Sequence, residues 1–349
     1  MPCARRCAPV LVSAALAATG TAQEAPHRLP GVETSRVVLE ARVTDARGRP
    51  LPGLTPRDFR LEVDGREVPV ESAVWVDERG DNRDRPSSGP FRGSGPSGSA
   101  LPGGADLEGA RLVLLFQKDF EGSRLRGLLR AIGQAKELLA PLTARDRVAV
   151  LTFDSHLRLH LDFTADVAAV GRTLDQSVLL RWPGRVEPSD PPSLAAHLDR
   201  AEAREAASPE QALLALGRGL RAIPGTKTVL LFGYGLGELR GGTVVLDHDY
   251  GKARSALEEA RAAVFCLDVT QAAWHSLEVG LQQVAEDTGG QYFKVHENAG
   301  AALSRVAAAL SGHYVLAFGR PEGRRGEHRV RIALDGRRGT VLTRSRYVD

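Results

Sequence analysis

Residues 112–153 read LVLLFQKDFEGSRLRGLLRAIGQAKELLAPLTARDRVAVLTF. The stretch opens on an apolar run, 112–116, and closes on a second, 148–153, each of the length of a buried strand. Between them Leu125, Leu128, Leu129, Ile132 and Leu139 fall at helical spacing, so a single apolar stripe faces the strands. A strand, an amphipathic helix and a second strand make the unit of a parallel sheet, because parallel neighbours need a crossover and a helix supplies it.

The same alternation continues outward. Residues 156–161 alternate as an antiparallel edge strand, and helices over 166–176 and 209–221 lead to an apolar strand at 228–232. Helix 252–261 is followed by strand 263–269, helix 277–286 by strand 291–294, and a last helix lies near 301–310. The pattern predicts an α/β domain over 109–311, Rossmann-like, with a central mainly parallel sheet and flanking helices.

Both ends of the chain have strand character instead. Val37, Leu39, Ala41 and Val43 alternate with other residues, as do Phe59, Leu61 and Val63, and Asp64-Gly65 offers a tight turn before Val68 and Val70. These make an N-terminal β module over 34–78. Residues 79–108 are rich in Gly, Pro and Ser, too poor in apolar side chains to pack a core, and read as a linker. After residue 312 come an apolar strand at 314–318, then His328, Val330, Ile332 and Leu334 in alternation up to Asp335-Gly336, then 340–343. The expectation is that the C-terminal strands, 312–349, join the N-terminal ones in one small β-sandwich-like module; two separate units are the alternative.

The chain has 349 residues, 42% hydrophobic and 26% charged, enough to bury a core and to form more than one domain. A net charge of +3 argues against a nucleic-acid partner. At the start, Arg5 and Arg6 precede a short apolar run ending at Ala18, and Gly20 and Ala22 have the spacing that a signal peptidase favours. Residues 1–22 are read as a signal peptide, the run being too short to span a bilayer comfortably. Cleavage would remove Cys3 and Cys7 and leave Cys266 as the sole thiol of the mature chain, inside an apolar run and without a disulfide partner. The expected location is therefore periplasmic or secreted.

The order of elements and several strings resemble the von Willebrand factor type A (VWA) superfamily, and more closely the bacterial VWFA-related proteins of acidobacterial type. The strings are VTDARGRPLPGLTPRDFRLEVDGREVPV (43–70), ARDRVAVLTFDSHLRLHLDFTAD (144–166), HSLEVGLQQVAEDTGGQYFKV (275–295) and GEHRVRIALDGRRGTVLTRSRY (326–347). The resemblance covers almost the whole mature chain apart from the linker and the Ala-rich stretch before Pro209. It implies a VWA domain, and in its metal-binding members a cation site made by Asp-x-Ser-x-Ser after the first strand, a Thr from a later loop and an Asp after the fourth strand. Hard oxygen ligands there hold Mg²⁺ and leave a position open to a partner's carboxylate.

Set against that pattern, the end of strand 112–116 puts Phe116, Lys118 and Phe120 at the Asp, Ser and Ser positions, and Tyr234 nearest the second Asp. Ser208 is the substitute for the Thr, and one hydroxyl does not hold a divalent cation. The site reads as degenerate, with no metal, and Lys118, Phe120 and Tyr234 are the candidate partner contacts. A register shifted by three residues offers Asp119, Glu121 and Ser123 as an alternative Mg²⁺ site; otherwise the two acids are solvated residues beside a helix start.

Other signals are weaker. Gly233-Tyr234-Gly235-Leu236-Gly237 lacks the third glycine and the following helix of a dinucleotide loop. Asp247-His248-Asp249 precedes a helix and reads as capping rather than as metal ligands. His156 and His160 read as exposed residues of an edge strand, and the Arg-rich tail as a solvated β face. No nucleophile elbow, zinc-protease helix or P-loop is present in the sequence. The reading is thus a non-enzymatic, exported interaction module acting without metal, with protein partners. The alternatives are a Mg²⁺-dependent adhesion module and, last, an enzyme whose site is assembled from scattered residues.

Overall fold

The computed structural model describes residues 36–78, 109–119, 121–176, 184–321, 323 and 325–349. The expected signal peptide, the expected linker over 79–108 and Phe120 lie outside them. Strands and helices are numbered along the chain.

From the start of the chain come β1 (Arg36–Thr44), β2 (Phe59–Val63), β3 (Arg66–Val68) and β4 (Val70–Asp77); from its end come β13 (Gly312–Gly319), β14 (Glu327–Leu334), β15 (Thr340–Leu342) and β16 (Arg346–Val348). They form two antiparallel four-stranded sheets in the orders β15-β1-β13-β4 and β16-β14-β2-β3, so each sheet mixes both ends of the chain. Inward-facing residues pack between the sheets: Leu39 and Tyr314 from one, Phe59, Leu61 and Ile332 from the other. The Tyr314 hydroxyl donates to the Leu51 carbonyl at 2.8 Å and accepts the Leu54 N–H at 2.9 Å, so the buried ring keeps its polar end satisfied. This is the β-sandwich-like module expected from the alternating patterns, built from both termini rather than as two units.

The central sheet contains β5 (Arg111–Gln117), β6 (Arg147–Phe153), β7 (Leu157–Thr164), β8 (Lys227–Gly233), β11 (Ala262–Asp268) and β12 (Tyr292–Lys294). Their order is β7-β6-β5-β8-β11-β12, all parallel except β7 at the edge. Between them run α1 (Gly122–Leu139), α2 (Val167–Gln176), α3 (Arg200–Glu205), α4 (Pro209–Arg221), α5 (Tyr250–Glu259), α6 (Glu278–Thr288) and α7 (Val295–Ala309). Alternate strand residues feed two cores. Leu112, Leu114 and Phe116 pack under α1, α2 and α7, and Val113, Leu115 and Leu231 under α4 and α6. Each such leucine or phenylalanine contributes roughly 1.5–3 kcal/mol by leaving water.

Some elements differ from expectation. Helix α7 starts six residues before the expected 301, because HENAG (296–300) carries no apolar stripe to reveal it. Helix α3 and the hairpin β9 (Glu238–Arg240) and β10 (Thr243–Val245) were not anticipated; both are short and largely exposed, and so leave little pattern. Among the described residues no helix is long and apolar enough to cross a membrane.

The sandwich meets the amino ends of the central strands. Buried Arg42 on β1 donates to the Ala309 carbonyl at 3.2 Å and to the hydroxyl of Thr228, at the start of β8, at 3.3 Å. Glu40 pairs with Arg261, just before β11. The carboxyl ends of the same strands are left to the loops.

Candidate functional site

The chain builds β5, β6 and β7 on one side of the sheet, then crosses to β8, β11 and β12 on the other. Crossovers therefore diverge between β5 and β8, and a crevice opens at the carboxyl ends of these two strands. Gln117, the last residue of β5, closes its floor. The buried side-chain amide donates to the Gly235 carbonyl at 3.1 Å and accepts the Tyr234 N–H at 3.0 Å, tying β5 to the loop after β8. Gly233 makes room for this bridge, since a Cβ there would lie 2.8 Å from the Gln117 Oε1.

This corrects the register expected for Phe116. Phe116 is fully buried and stacks on Phe232, rings 4.7 Å apart and 8° from parallel, inside the core beneath α1. Successive strand side chains point to opposite faces, so the β5 residue that reaches the crevice is its neighbour, Gln117.

Lys118 and Tyr234 do meet. The Tyr234 hydroxyl donates to the Lys118 carbonyl at 3.3 Å, and the Lys118 N–H donates to the Phe153 carbonyl at the end of β6, 2.7 Å away. The Lys118 side chain is buried, and burial lowers its pKa against the opposing pull of Asp154. Tyr234 is raised by burial and by the nearby Asp119. Phe120 lies outside the described residues.

Arg124, in the first turn of α1, organises the remaining charges. Its guanidinium lies 4.4 Å from the centre of the Tyr234 ring, pairs with Asp119, and reaches Glu121 at 3.2 Å. Asp119 also accepts the Glu121 N–H at 2.9 Å. Ser123 is within α1, its side chain outside the described residues. Ser208 is the N-cap of α4, accepting the Gln211 N–H at 3.2 Å, a structural use of its hydroxyl.

A second constellation, unread in the sequence, stands at the end of β11. Asp268 is fully buried; it accepts the Thr270 N–H at 3.0 Å, the His275 Nε2–H at 2.9 Å and the Tyr292 hydroxyl at 2.7 Å. Beside it the Lys294 ammonium lies 2.6 Å from the buried Glu278 carboxylate. The Tyr292 phenol is held protonated by burial and by Asp268. Asp268, His275 and Glu278 offer ligand atoms within 4.8 Å of one another, but Lys294 already neutralises Glu278 and Tyr292 takes a lone pair of Asp268. Among the described residues His275 makes no hydrogen bond to a Ser, Thr or Cys, so the Asp–His pair has no nucleophile attached.

Between the two constellations lies an open cleft of about 600 Å³, walled by Arg124, Tyr234, Leu239, Thr270, His275 and Leu277. Leu239, in its wall, is 57% accessible, and Trp274, the residue before His275 in the chain, is 69% accessible. Tryptophan is enriched among the residues that dominate binding energy at interfaces.

Sheet order, the single antiparallel edge strand, helices on both faces and the crevice at β5 and β8 agree with the architecture that the sequence resemblance implied. The central domain thus has the doubly wound α/β architecture expected of a VWA-like chain. No family model matches the chain, and no curated protein matches it. Solved structures similar to it include a von Willebrand factor type A protein from Catenulispora acidiphila, 12% identical over 85% of this chain and 75% of that one, with a TM-score of 0.41. An aerotolerance-related membrane protein from Bacteroides fragilis is 14% identical over 58% of this chain and 98% of its own, with a TM-score of 0.37. Proximal thread matrix protein 1 of the mussel byssus, solved with a zinc-occupied MIDAS motif, is 12% identical over 60% of this chain and 48% of that one, TM-score 0.37. Identities this low say nothing of ligand or partner.

The residues at the VWA crevice do not fit a hard divalent cation. Mg²⁺ asks for oxygen ligands in octahedral array. The Gln117 amide is committed to two backbone groups, and Asp119 and Glu121 are both paired with Arg124. The loop after β8 presents glycine and tyrosine where a carboxylate would be needed.

The remaining candidates have structural uses. Asp247 accepts the Asp249 N–H at 2.8 Å, and Asp249 is held by Lys252 at 2.7 Å and Gln211 at 3.2 Å. Asp249 stands at the N-cap of α5 without making the cap bond expected of it. His160 is not an exposed strand residue: it is half-buried, shares a 2.8 Å hydrogen bond with the Thr152 hydroxyl, and burial, with Lys118 and Arg158 nearby, lowers its pKa to about 4. His156 precedes β7. In the tail, Arg329 and Arg331 line the exposed face of β14, while Arg320, Arg337, Arg344 and Arg346 form ion pairs.

Proposed function

We propose that this chain is an exported, non-enzymatic VWA-class interaction module that grips a protein partner at the carboxyl end of its central sheet without a bound metal. Lys118, Phe120 and Tyr234 form one side of that contact, and Leu239 and Trp274 extend it across the cleft. The observation that carries the reading is Arg124. Seated on Tyr234 and paired with Asp119 and Glu121, it supplies from the chain itself the positive charge that a cation would bring to this end of the sheet. The shifted Mg²⁺ site at Asp119, Glu121 and Ser123 would first have to displace it.

Export follows from the Arg5-Arg6 pair, the apolar run and the Gly20 and Ala22 spacing, and periplasmic or secreted partners follow from export. The experiment is affinity capture from the envelope fraction, comparing the wild type with a Lys118→Ala, Phe120→Ala, Tyr234→Ala variant. Loss of captured protein in the variant is expected; equal capture by both removes this face. Calorimetry with Mg²⁺, Mn²⁺ and Ca²⁺ separates the metal-free reading from the metal-dependent one, which saturable binding abolished by Asp119→Ala would establish.

A further inference from the structure

At the outer edge of the central sheet, beyond β7, a groove of about 470 Å³ runs between that strand and α3. Its floor is apolar: Leu157 and Leu198 are buried and Leu159 is partly so. Its rim is basic, with Arg158, Arg185, Arg200 and Arg204 around it and His156 at one end, and no carboxylate among the described residues that line it. Two of the arginines are neutralised from outside, Arg158 by Asp154 and Arg185 by Glu187 at 3.1 Å, the latter pair largely solvent-exposed. Arg200 reaches only the Val186 carbonyl at 3.4 Å, and Arg204 has no ion pair or hydrogen bond among the described residues. The nearby acids are spent elsewhere: Glu202 pairs with Arg218, and Asp199 caps α3.

The wall opposite β7 is fixed in place. Buried Asp162 accepts the Ser193 hydroxyl at 2.6 Å, the Leu194 N–H at 2.7 Å and both the N–H and hydroxyl of Ser189, pinning the 189–194 segment against the strand. Among the described residues β7 pairs with β6 alone, which makes it the edge strand of the sheet.

We propose that this groove binds an extended acidic peptide of a partner protein, one whose side chains alternate between apolar and carboxylate. Such a segment laid along β7 would turn its apolar residues to the leucine floor and its carboxylates to the arginine rim, while its backbone meets the strand edge. Arginine suits that rim because its planar fork meets a carboxylate through two parallel hydrogen bonds. None of the residues lining the groove belongs to the contact proposed at Lys118 and Tyr234, although Asp154 lies between Lys118 and Arg158.

The test is fluorescence anisotropy of the full chain with a short fluorescein-labelled peptide of alternating leucine and Asp or Glu. A matching leucine and lysine peptide, heparin and anionic phospholipid vesicles serve as rival probes. Saturable binding of the acidic peptide is expected, weakened by added salt, lowered by about tenfold or more in Arg200→Glu, Arg204→Glu, and unchanged in Arg331→Glu, the same charge change on the exposed face of β14. Arg204→Gln alone, a milder change at an exposed position, is expected to weaken binding in the same direction and guards against misfolding of the double variant. No binding of the acidic peptide, equal binding of the lysine peptide, retention by the arginine variants, or preference for heparin or vesicles would each overturn the assignment.

Discussion

The guanidinium carbon of Arg124 lies over the ring of Tyr234, 4.4 Å from its centre, joining the first turn of α1 to the loop after β8 across the crevice of the sheet. Both carboxylates nearest to them, Asp119 and Glu121, are drawn to that same guanidinium. One cationic side chain thus holds two loops and two acids, and the face it organises is set before any partner arrives.

Arg124→Ala is expected to lower stability by about 0.5–1.5 kcal/mol. The ring contact contributes most of it, because a side chain one-third exposed leaves its ion pairs screened by solvent. Urea unfolding measures it. On the metal-free reading the variant should also bind Mg²⁺ more tightly than the wild type does; identical cation titrations of the two proteins would remove Arg124 as a determinant of metal binding.

Gln117→Leu keeps the bulk of the side chain but strands the Tyr234 N–H and the Gly235 carbonyl. A loss of roughly 1–3 kcal/mol is expected, the cost of leaving buried polar groups unpaired. Chemical denaturation gives the figure, and hydrogen exchange should show faster exchange at the Tyr234 amide. An unchanged midpoint would mean that the bridge adds nothing.

Trp274→Ala and Leu239→Ala should behave in the opposite way. Both side chains are mostly exposed, so melting temperatures should stay within about a degree or two of the wild type, while capture of the envelope partner falls. Partner capture at wild-type level by the double variant would confine the contact to Lys118, Phe120 and Tyr234.

Two histidines should tilt stability against pH in opposite senses. His160, lowered by burial to about 4, favours the folded state above its ordinary value of 6.5, and that contribution is lost as pH falls from 6.5 toward 4. His328 is raised chiefly by its hydrogen bond to Asp64; its contribution is full below 6.5 and is lost as pH rises through the raised value. Unfolding free energies between pH 4 and pH 8 test both. His160→Leu should flatten the acidic limb and His328→Gln the neutral one, each leaving the other in place.

If residues 1–22 are a signal peptide, N-terminal sequencing of protein recovered from the envelope or medium should begin at Gln23. In that mature chain Cys266 is the single thiol, wholly buried and with its pKa pushed up by burial, so a thiol reagent should label it only as fast as the protein unfolds. Rapid labelling of the native chain would place the residue in an accessible site.

The sheet and most helices were legible because long apolar runs and helical stripes survive in the sequence: 112–116, 148–153 and 228–232 each carry a buried strand. The pairing of the two ends of the chain also showed in matching alternation. At the crevice the reading erred by one residue. A run ending Leu-Leu-Phe-Gln does not say whether the last phenylalanine or the glutamine turns toward the loops, and the stacked Phe232 that keeps Phe116 inward comes from a distant strand. The group around Asp268 was hidden for a related reason. Its members come from a strand end, a loop, a helix and the next strand, and only the crossovers bring Asp268, His275, Glu278, Tyr292 and Lys294 together. Arg124 gave no signal either, since an arginine in a helix's first turn is ordinarily a solvated one.

The interleaving of the terminal strands makes the sandwich a test of completeness. The Thr343 hydroxyl donates to the Glu40 carbonyl 303 residues away in sequence, and β1 finds its neighbours β13 and β15 only after everything between has been made. The central domain draws its core from residues between those ends, while the sandwich must await the last strands and bear the slow, long-range closure. A chain cut short before β13 would leave β1 and β4 with open edges, marking it for proteolysis or aggregation before it could compete for a partner.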